Sequence, residues 1–127
     1  MAKNRSKKAA RFGALAERAA FDRYGLRAER DSWHDARDRD GRPWDVKACM
    51  LSRDSARFRL WKDQHSRLRS EGGGYCFVGY LPRGTGIQVK RMRTVRASSI
   101  TSAFYSAGNH AKGDQLKIPP RAVFVNR

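Results

Sequence analysis

The sequence predicts an α/β fold in which a mixed central sheet is flanked by helices. Three observations predict it: two segments with helical spacing, a continuous apolar run suited to a buried strand, and an alternating apolar and basic run after it. The 127 residues, 39% of them hydrophobic, suffice for one core but not two. We therefore expect a single domain over residues 11–127, preceded by a flexible basic arm at residues 1–10.

The first helix is predicted from about Ala9 to Tyr24. Its apolar residues recur at helical spacing and would share one face: Phe12, Leu15, Ala16, Ala19, Ala20 and Tyr24. Gly25 is well placed to end the helix, and the residues from Leu26 to Glu29 can begin a first strand.

The stretch from Trp33 to Met50 predicts a β-hairpin. Asp40-Gly41 is a strong signal for a tight turn, and the residues on both sides suit two antiparallel strands. A hairpin centred near Asp40 places Asp35 directly opposite Asp45, with their Cβ atoms about 5 Å apart. Asp38 and Asp40 are interpreted as turn residues.

The faces of this hairpin differ in chemistry. Because side chains alternate along a strand, Lys47 shares the face of Asp45, and the apolar residues between and beyond them point to the other face. Two carboxylates that lie so close repel each other unless a cation is bound between them. The hairpin alone therefore predicts a divalent cation held by Asp35 and Asp45 beside an ammonium group, which is the chemistry of a nuclease.

The second helix is predicted after a break at Ser52–Ser55. One face would carry Phe58, Trp61, His65 and Leu68, and the glycines at positions 72–74 would end the helix. The apolar run Tyr75–Leu81 then predicts the most buried strand of the sheet.

The last third predicts a turn, a half-exposed strand and a short helix. Pro82–Gly86 suits a turn, and Ile87–Val95 suits a strand whose wet face is basic. Ser98–Ser106 suits a short helix capped by Ser98 or Ser99. Lys117–Val125 is at best a short edge strand because it contains two prolines.

The charge of the chain points to a polyanionic partner. Lysine and arginine number 28 against 12 acidic residues, which gives a net charge of +16 and indicates nucleic acid. No stretch approaches the roughly 20 apolar residues of a membrane span, so no membrane partner is expected. The residues predicted to contact phosphate lie in the basic arm and in the late strand: Lys7, Lys8, Arg11, Lys90, Arg91 and Arg93.

The two cysteines, Cys49 and Cys76, fall within predicted strands and lack the spacing of a metal or redox motif. Buried, reduced thiols are expected, in keeping with a cytoplasmic protein.

With this element order established, the chain resembles the PD-(D/E)xK nuclease superfamily and, within it, archaeal Holliday-junction resolvases. The resemblance runs from about Arg11 to Leu81 and is carried by residues in the family's element order: Glu17 on the first helix, Asp35 and Asp45-Val46-Lys47 on the hairpin, and Gln64 on the second helix. Two positions depart from the family pattern. His34 stands where a proline usually precedes the first aspartate, and Asp45 stands where resolvases usually have glutamate.

The resemblance implies a restriction-endonuclease-like fold and a role for each of these residues. Asp35, Asp45 and the Val46 carbonyl would bind Mg²⁺, for which Mn²⁺ would substitute, and Glu17 would complete the cluster directly or through water. Lys47 would position or activate the attacking water, and Gln64 would orient Lys47 or that water. The products would carry a 5′-phosphate and a 3′-hydroxyl.

The resemblance also implies a DNA endonuclease, acting on branched or distorted duplexes and working as a homodimer. The apolar segment Ala122–Val125 would serve as the dimer interface or pack on its own sheet. A catalytically idle, basic nucleic-acid-binding protein is the alternative, and its affinity would come from charge alone.

Several single residues keep two interpretations. Glu17 and Gln64 would be catalytic or merely helix-surface residues. His34 and His65 would be general bases or zinc ligands, although packing at helical spacing is preferred for His65. Trp33 would stack on a base or lie in the core.

Overall fold

The computed structural model describes residues 2–101, 104 and 114–125, and the side chains from residue 7 onwards within these ranges. The elements follow in this order: α1 (Ala2–Tyr24), β1 (Arg27–Asp31), β2 (His34–Arg37), β3 (Pro43–Met50), β4 (Phe58–Trp61), α2 (Lys62–Ser70), β5 (Gly74–Arg83), β6 (Gly86–Arg96), a 3₁₀ turn (Ala97–Ser99), β7 (Gln115–Ile118) and α3 (Pro120–Val123). Among the described helices, none has the length and apolar character needed to cross a membrane.

The main sheet has five strands in the order β1-β2-β3-β5-β6. Strands β3 and β5 run parallel at its centre, and the other pairs are antiparallel. Strands β4 and β7 form a separate two-stranded antiparallel sheet. The predicted α/β class with a mixed sheet flanked by helices is therefore confirmed.

Helix α1 covers one face of the main sheet. Phe12, Ala16 and Ala20 are buried on its inner side, where the small alanines allow a close approach to Trp44 and Val78 of the sheet. The helix ends where predicted, because Gly25 adopts a φ of +62° that favours glycine.

The start of α1 was predicted wrongly. The helix begins at Ala2 rather than near Ala9, and it includes the basic segment predicted to be a flexible arm. Residues 2–12 contain neither proline nor glycine, and alanine, lysine and arginine are good helix formers, so propensity alone continues the helix towards the N-terminus.

The opposite face of the sheet is covered by α2, β4 and β7. The buried cluster on this side contains Phe58, Leu60, Leu68, Tyr75, Phe77 and Leu116, among others. The second helix was predicted to include Phe58 and Trp61, but these residues form β4 and the helix begins at Lys62. The reason is a period of two: Phe58 and Leu60 are buried and Arg59 between them is exposed.

Two glycines between α2 and β5 bring the start of β5 against β3. Gly72, at a φ of +72°, follows the helix, as predicted. A Cβ atom on Gly73 would lie 2.1 Å from the carbonyl oxygen of Pro43, so no other residue fits there without moving the backbone. This close approach aligns Asp45 of β3 with Tyr75 of β5.

The end of the chain differs from the prediction in detail. Strand β5 continues through Pro82 to Arg83 before its turn. The strand predicted at Ile87–Val95 is β6, but its alternation fails over Gln88–Arg91, which are all exposed where the register with β5 shifts. A helix was predicted at Ser98–Ser106. Its first residues form the 3₁₀ turn Ala97–Ser99, and most of the rest lies outside the described residues. The short strand predicted from Lys117 is β7, and α3 follows it with Pro120 as its first residue.

Candidate active site

Strands β2 and β3 pair in the register predicted from the turn. Ala36 lies opposite Trp44 and Arg37 opposite Pro43, and the same register continued by one residue places Asp35 opposite Asp45. Asp38 shapes the turn: its carboxylate accepts hydrogen bonds from the backbone amides of Asp40 and Arg42 at 2.9 and 3.0 Å.

The two carboxylates are held differently. Oδ2 of Asp35, which is partly exposed, accepts a hydrogen bond from the Val46 amide at 2.8 Å, so the backbone of β3 fixes this side chain. Asp45 is only 5% exposed, and its lateral neighbour in the parallel ladder is the fully buried Tyr75. The structure therefore places one carboxylate at the surface and one within the sheet, facing the same side.

Lys47 follows Asp45 on the same face of β3. Its Nζ atom lies 2.9 Å from Oδ2 of Asp45 and donates a hydrogen bond to Oε1 of Gln64 at 3.0 Å. Gln64 is held in turn, because its Nε2 atom donates to the carbonyl oxygen of Trp33 at 3.3 Å. Helix α2 thus supplies a hydrogen-bond acceptor for the lysine, at the residue to which the resemblance assigns the role of orienting Lys47 or the attacking water.

Burial controls the electrostatics of Asp45. Desolvation raises the pKa of Asp45 to about 7, against the attraction of Lys47 and with the repulsion of Asp35. Lys47 lies close to Oδ2 of Asp45 but not at a hydrogen-bonding angle, so among the described groups this buried oxygen has no hydrogen-bond donor. A carboxylate in this condition favours a proton or a cation.

Glu17 reaches the site only indirectly. It lies on α1, and Arg30 of β1 stands between it and the hairpin: Nη2 of Arg30 contacts Oε1 of Glu17, and Nη1 lies 3.5 Å from Oδ1 of Asp35. Arg30 was missed in the sequence because nothing distinguishes it there from the other basic residues.

The five residues predicted to be catalytic are therefore connected by one chain of contacts. It runs from Glu17 through Arg30 to Asp35, across the hairpin to Asp45, and on to Lys47 and Gln64. In the part of the chain that is described, no three His, Cys, Asp or Glu side chains are arranged to hold a metal ion.

The carboxylate pair is nevertheless a suitable donor set for a hard cation. Asp35 and Asp45 offer anionic oxygens, one of them lacking a hydrogen-bond donor, and Mg²⁺ typically binds through one or two carboxylates while retaining several waters. The residues present therefore fit a divalent cation. The Val46 amide is engaged with Asp35, which leaves the carbonyl of Val46 as the group to consider as a further ligand.

The histidines have structural surroundings. His34 and Ala36 are buried on the face of β2 opposite to Asp35, and Nδ1 of His34 has no hydrogen-bond partner among the described residues. His65 is buried and hydrogen-bonded through Nδ1 to the hydroxyl of Tyr75 at 2.8 Å, and burial lowers its pKa. The interpretation of His65 as a packed residue is confirmed.

The cysteines and tryptophans complete the surroundings. Cys49 and Cys76 are buried and unpaired with each other, and burial raises the pKa of Cys49 to about 11. Trp44 is buried, and its indole N–H donates to Asp38 at 2.9 Å. Trp33 is half-buried, with the guanidinium carbon of Arg67 4.9 Å from its ring centroid, so its face is already occupied by a cation.

A model of the PD-(D/E)XK nuclease superfamily domain matches residues 3–125 of the chain. The match extends beyond the resemblance seen in the sequence, which ended near Leu81, and takes in β6, β7 and α3. No curated protein and no solved structure matches the chain.

Proposed function

Because the chain belongs to the PD-(D/E)XK nuclease superfamily, we propose that it is a Mg²⁺-dependent endonuclease that hydrolyses the phosphodiester bonds of DNA. The observation that carries the proposal is the convergence of Asp35, Asp45, Lys47 and Gln64, contributed by two strands and a helix, on one side of the hairpin. Carboxylates that can bind a divalent cation beside an ammonium group are the groups that metal-dependent hydrolysis of a phosphodiester uses.

The proposed metal ligands are Asp35, Asp45 and the carbonyl of Val46. A bound Mg²⁺ supplies Lewis acidity towards phosphate oxygens, and Mn²⁺ is expected to substitute for it. Glu17 acts through water, because its carboxylate is held by Arg30 rather than placed against Asp35. An Asp45 with a pKa of about 7 is readily deprotonated when a cation approaches.

Lys47 is the proposed group that positions the attacking water and stabilises charge developing on the phosphate. Its ammonium is held between Asp45 and Gln64, with little freedom to turn away from the site. Gln64 orients Lys47, since Gln64 is itself fixed by the carbonyl of Trp33. The products expected for the family carry a 5′-phosphate and a 3′-hydroxyl.

Basic residues on two elements are proposed to bind the DNA backbone. Lys7, Lys8 and Arg11 are exposed on α1, and Lys90 is exposed on β6. Arg91 and Arg93 also have a structural contact, because they donate to the carbonyl oxygens of Phe124 and Val123 at 3.4 and 2.7 Å. A guanidinium has five donors, so these contacts are compatible with a role at phosphate.

Branched or distorted DNA and a homodimer belong to the same proposal. Symmetric cutting of two strands requires two active sites, for which a two-fold dimer is the usual arrangement. The apolar segment Ala122–Val125 packs mainly on its own chain: Val123 is buried, the rings of Phe124 and Phe58 lie 5.9 Å apart, and Val125 is exposed. A dimer interface must therefore involve other surfaces as well.

The proposal is tested by cleavage of labelled four-way junction, flap and linear duplex DNA in the presence of Mg²⁺, Mn²⁺ or EDTA. Wild type is compared with Asp45→Asn and Lys47→Ala, with Asp40→Asn as the matched control because Asp40 is an exposed carboxylate of the same hairpin. DNA binding is measured on the same samples in EDTA, and the mass of the protein in solution reports dimer formation.

We expect metal-dependent cutting in wild type and Asp40→Asn, and its loss in Asp45→Asn and Lys47→Ala while binding persists. The substrate that is cut best identifies the class of DNA. Tight binding without cutting under any metal would contradict the endonuclease and favour the alternative, a non-catalytic basic nucleic-acid-binding protein.

A further inference from the structure

A basic cavity lies at the carboxyl end of β3, beyond the candidate active site. It has a volume of about 650 Å³, and its walls include Ala48 and Cys49 of β3 and Tyr80 of β5. Five of the residues around it are cationic and none is acidic: Lys8, Arg53, Arg57, Arg59 and Lys117. Only Lys8 was singled out from the sequence.

These five cations come from separate parts of the chain. Lys8 lies on α1, Arg53 and Arg57 lie in the loop between β3 and β4, and Arg59 and Lys117 lie on β4 and β7. Among the described residues, no carboxylate lies within 4 Å of any of their charged groups. The fold has therefore gathered positive charge without neutralising it.

The pairing of β4 with β7 places two of these cations, both exposed to solvent, side by side. Arg59 and Lys117 are direct cross-strand partners, and the aligned Phe58–Ile118 and Leu60–Leu116 pairs on either side fix that register. Cross-strand partners have Cβ atoms about 5 Å apart, and like charges in this position are destabilising. An anion bound in the cavity would reverse that effect.

We propose that this cavity binds phosphate groups of the DNA backbone away from the cleaved bond, where the substrate passes the carboxyl end of β3. The inference rests on the proposed action on DNA. Cys49 lies four positions after Asp45 on β3, which is about 13 Å at the rise of a strand. Phe12, Ala48 and Tyr80 of the lining belong to the side of the sheet that α1 covers, so the cavity lies around the carboxyl end of β3 from the face that carries Asp45 and Lys47.

Two kinds of phosphate share this chemistry: internal phosphodiesters and the terminal phosphate at the end of a strand. The size of the cavity and the spread of its cations over four elements favour an extended backbone. Binding to a covalently closed circular DNA, which has no ends, is therefore expected to be as sensitive to the cavity as binding to a 5′-phosphorylated linear duplex.

The test uses the full chain with Asp45→Asn to prevent cutting, and measures DNA affinity in EDTA over a range of salt concentrations. The cavity variant is Arg59→Gln/Lys117→Gln. The control is Arg39→Gln/Arg69→Gln, which removes the same charge at exposed positions in the β2–β3 turn and on α2, outside the cavity.

Loss of two phosphate contacts should reduce the slope of log affinity against log salt by about 1.8 in the cavity variant and leave the control unchanged. The cavity variant should also unfold about 1–4 °C higher than its parent without DNA, because a like-charge pair has been removed. That combination of weaker binding and higher thermal stability separates a functional cavity from damage to the fold.

Equal salt slopes for the cavity variant and its control would overturn the inference. Loss of binding to linear 5′-phosphorylated DNA but not to circular DNA would also overturn it in favour of a terminal-phosphate site. This experiment measures binding and not cleavage. If the protein binds DNA but never cuts it, the proposed nuclease activity is wrong, and the inference about the cavity still holds or fails on the salt slopes alone.

Discussion

The two ends of strand β3 differ in how their charges are compensated: the carboxylate at the start is buried, and the cations near the end are exposed. Towards its start, Asp45 is 5% exposed and its carboxylate lies 2.9 Å from the ammonium of Lys47. Across the hairpin, the carboxylate of Asp35 lies 3.5 Å from the guanidinium of Arg30. Towards its end, Arg59 and Lys117 face each other at the basic cavity, and no carboxylate of the described residues lies within 4 Å of their charged groups. The first region has charge compensated within the chain, and the second does not.

The difference indicates what each region requires from outside. At the carboxylate pair Lys47 and Arg30 compensate the charge, but the buried Oδ2 of Asp45 accepts no hydrogen bond among the described groups, so a single small cation would complete its surroundings. At the cavity the excess is several positive charges spread over four elements, which only a polyanion would match. Substitutions at the start of β3 should therefore affect chemistry, and substitutions at its end should affect binding.

The largest expected effect is on cleavage. Asp45→Asn and Lys47→Ala should each lower the cleavage rate by on the order of 10²–10³-fold or more, because each removes preorganised charge from the reacting phosphate. Their affinity for DNA in EDTA should change by less than about threefold. A variant of either residue that cuts at the wild-type rate would break the contrast between the two ends of β3.

A pH-dependent stability should follow from Asp45 in the metal-free protein. Its folded pKa of about 7 lies above the unfolded value near 3.8, so its protonation stabilises the folded state below pH 4 and that contribution is lost as the pH rises to 7. Three pKa units correspond to a loss of up to roughly 4 kcal/mol.

Denaturant unfolding at pH 5 and pH 8 in EDTA measures the part of this loss that falls between those values, about two pKa units or roughly 3 kcal/mol. Asp45→Asn, which has no proton to lose, should show a smaller fall in stability over that interval than wild type. Identical pH profiles for the two proteins would mean that Asp45 is not the group responsible.

Gln64→Ala should lower the cleavage rate by about tenfold, since it removes one hydrogen bond that orients Lys47, worth roughly 1–1.5 kcal/mol. Gln64→Glu serves as the comparison because it keeps an acceptor for Lys47 but places a third carboxylate on this face. An unchanged rate in Gln64→Ala would mean that Gln64 is a helix-surface residue with no part in cleavage.

The smallest effect is expected at Arg30. The Arg30 side chain is 61% exposed, so Arg30→Gln should change the free energy of unfolding by less than about 1 kcal/mol. Because this guanidinium lies beside Asp35, its removal should lower the Mg²⁺ concentration needed for half-maximal cleavage by a few-fold. A higher Mg²⁺ requirement would instead assign Arg30 to holding Glu17 in place.

What the sequence predicts well is local. The register that opposes Asp35 to Asp45 depends on a turn within the same ten residues, and Asp40-Gly41 identifies it. Gln64 was indicated by the resemblance to the nuclease superfamily and not by a local pattern, and its hydrogen bond to Lys47 depends on how α2 packs beside β3. The register of the hairpin therefore follows from a short-range pattern, and the position of Gln64 does not.

What the sequence could not predict depends on distant parts of the chain. The residues from Phe58 to Trp61 fit helical and strand spacing equally, and pairing with Gln115–Ile118, more than fifty residues later, decides for the strand. The cavity unites residues from Lys8 to Lys117, so no motif could reveal it. The contact of Arg30 with both Glu17 and Asp35 likewise appears only when β1 is placed beside β2.

The most direct test of the carboxylate pair is Mn²⁺ binding, measured as loss of the free-ion electron paramagnetic resonance signal on titration of the protein without DNA. The account predicts saturable binding in wild type and Asp40→Asn, and its loss in Asp45→Asn. Equal binding in wild type and Asp45→Asn would contradict the claim that Asp35 and Asp45, at the start of β3, form a metal site.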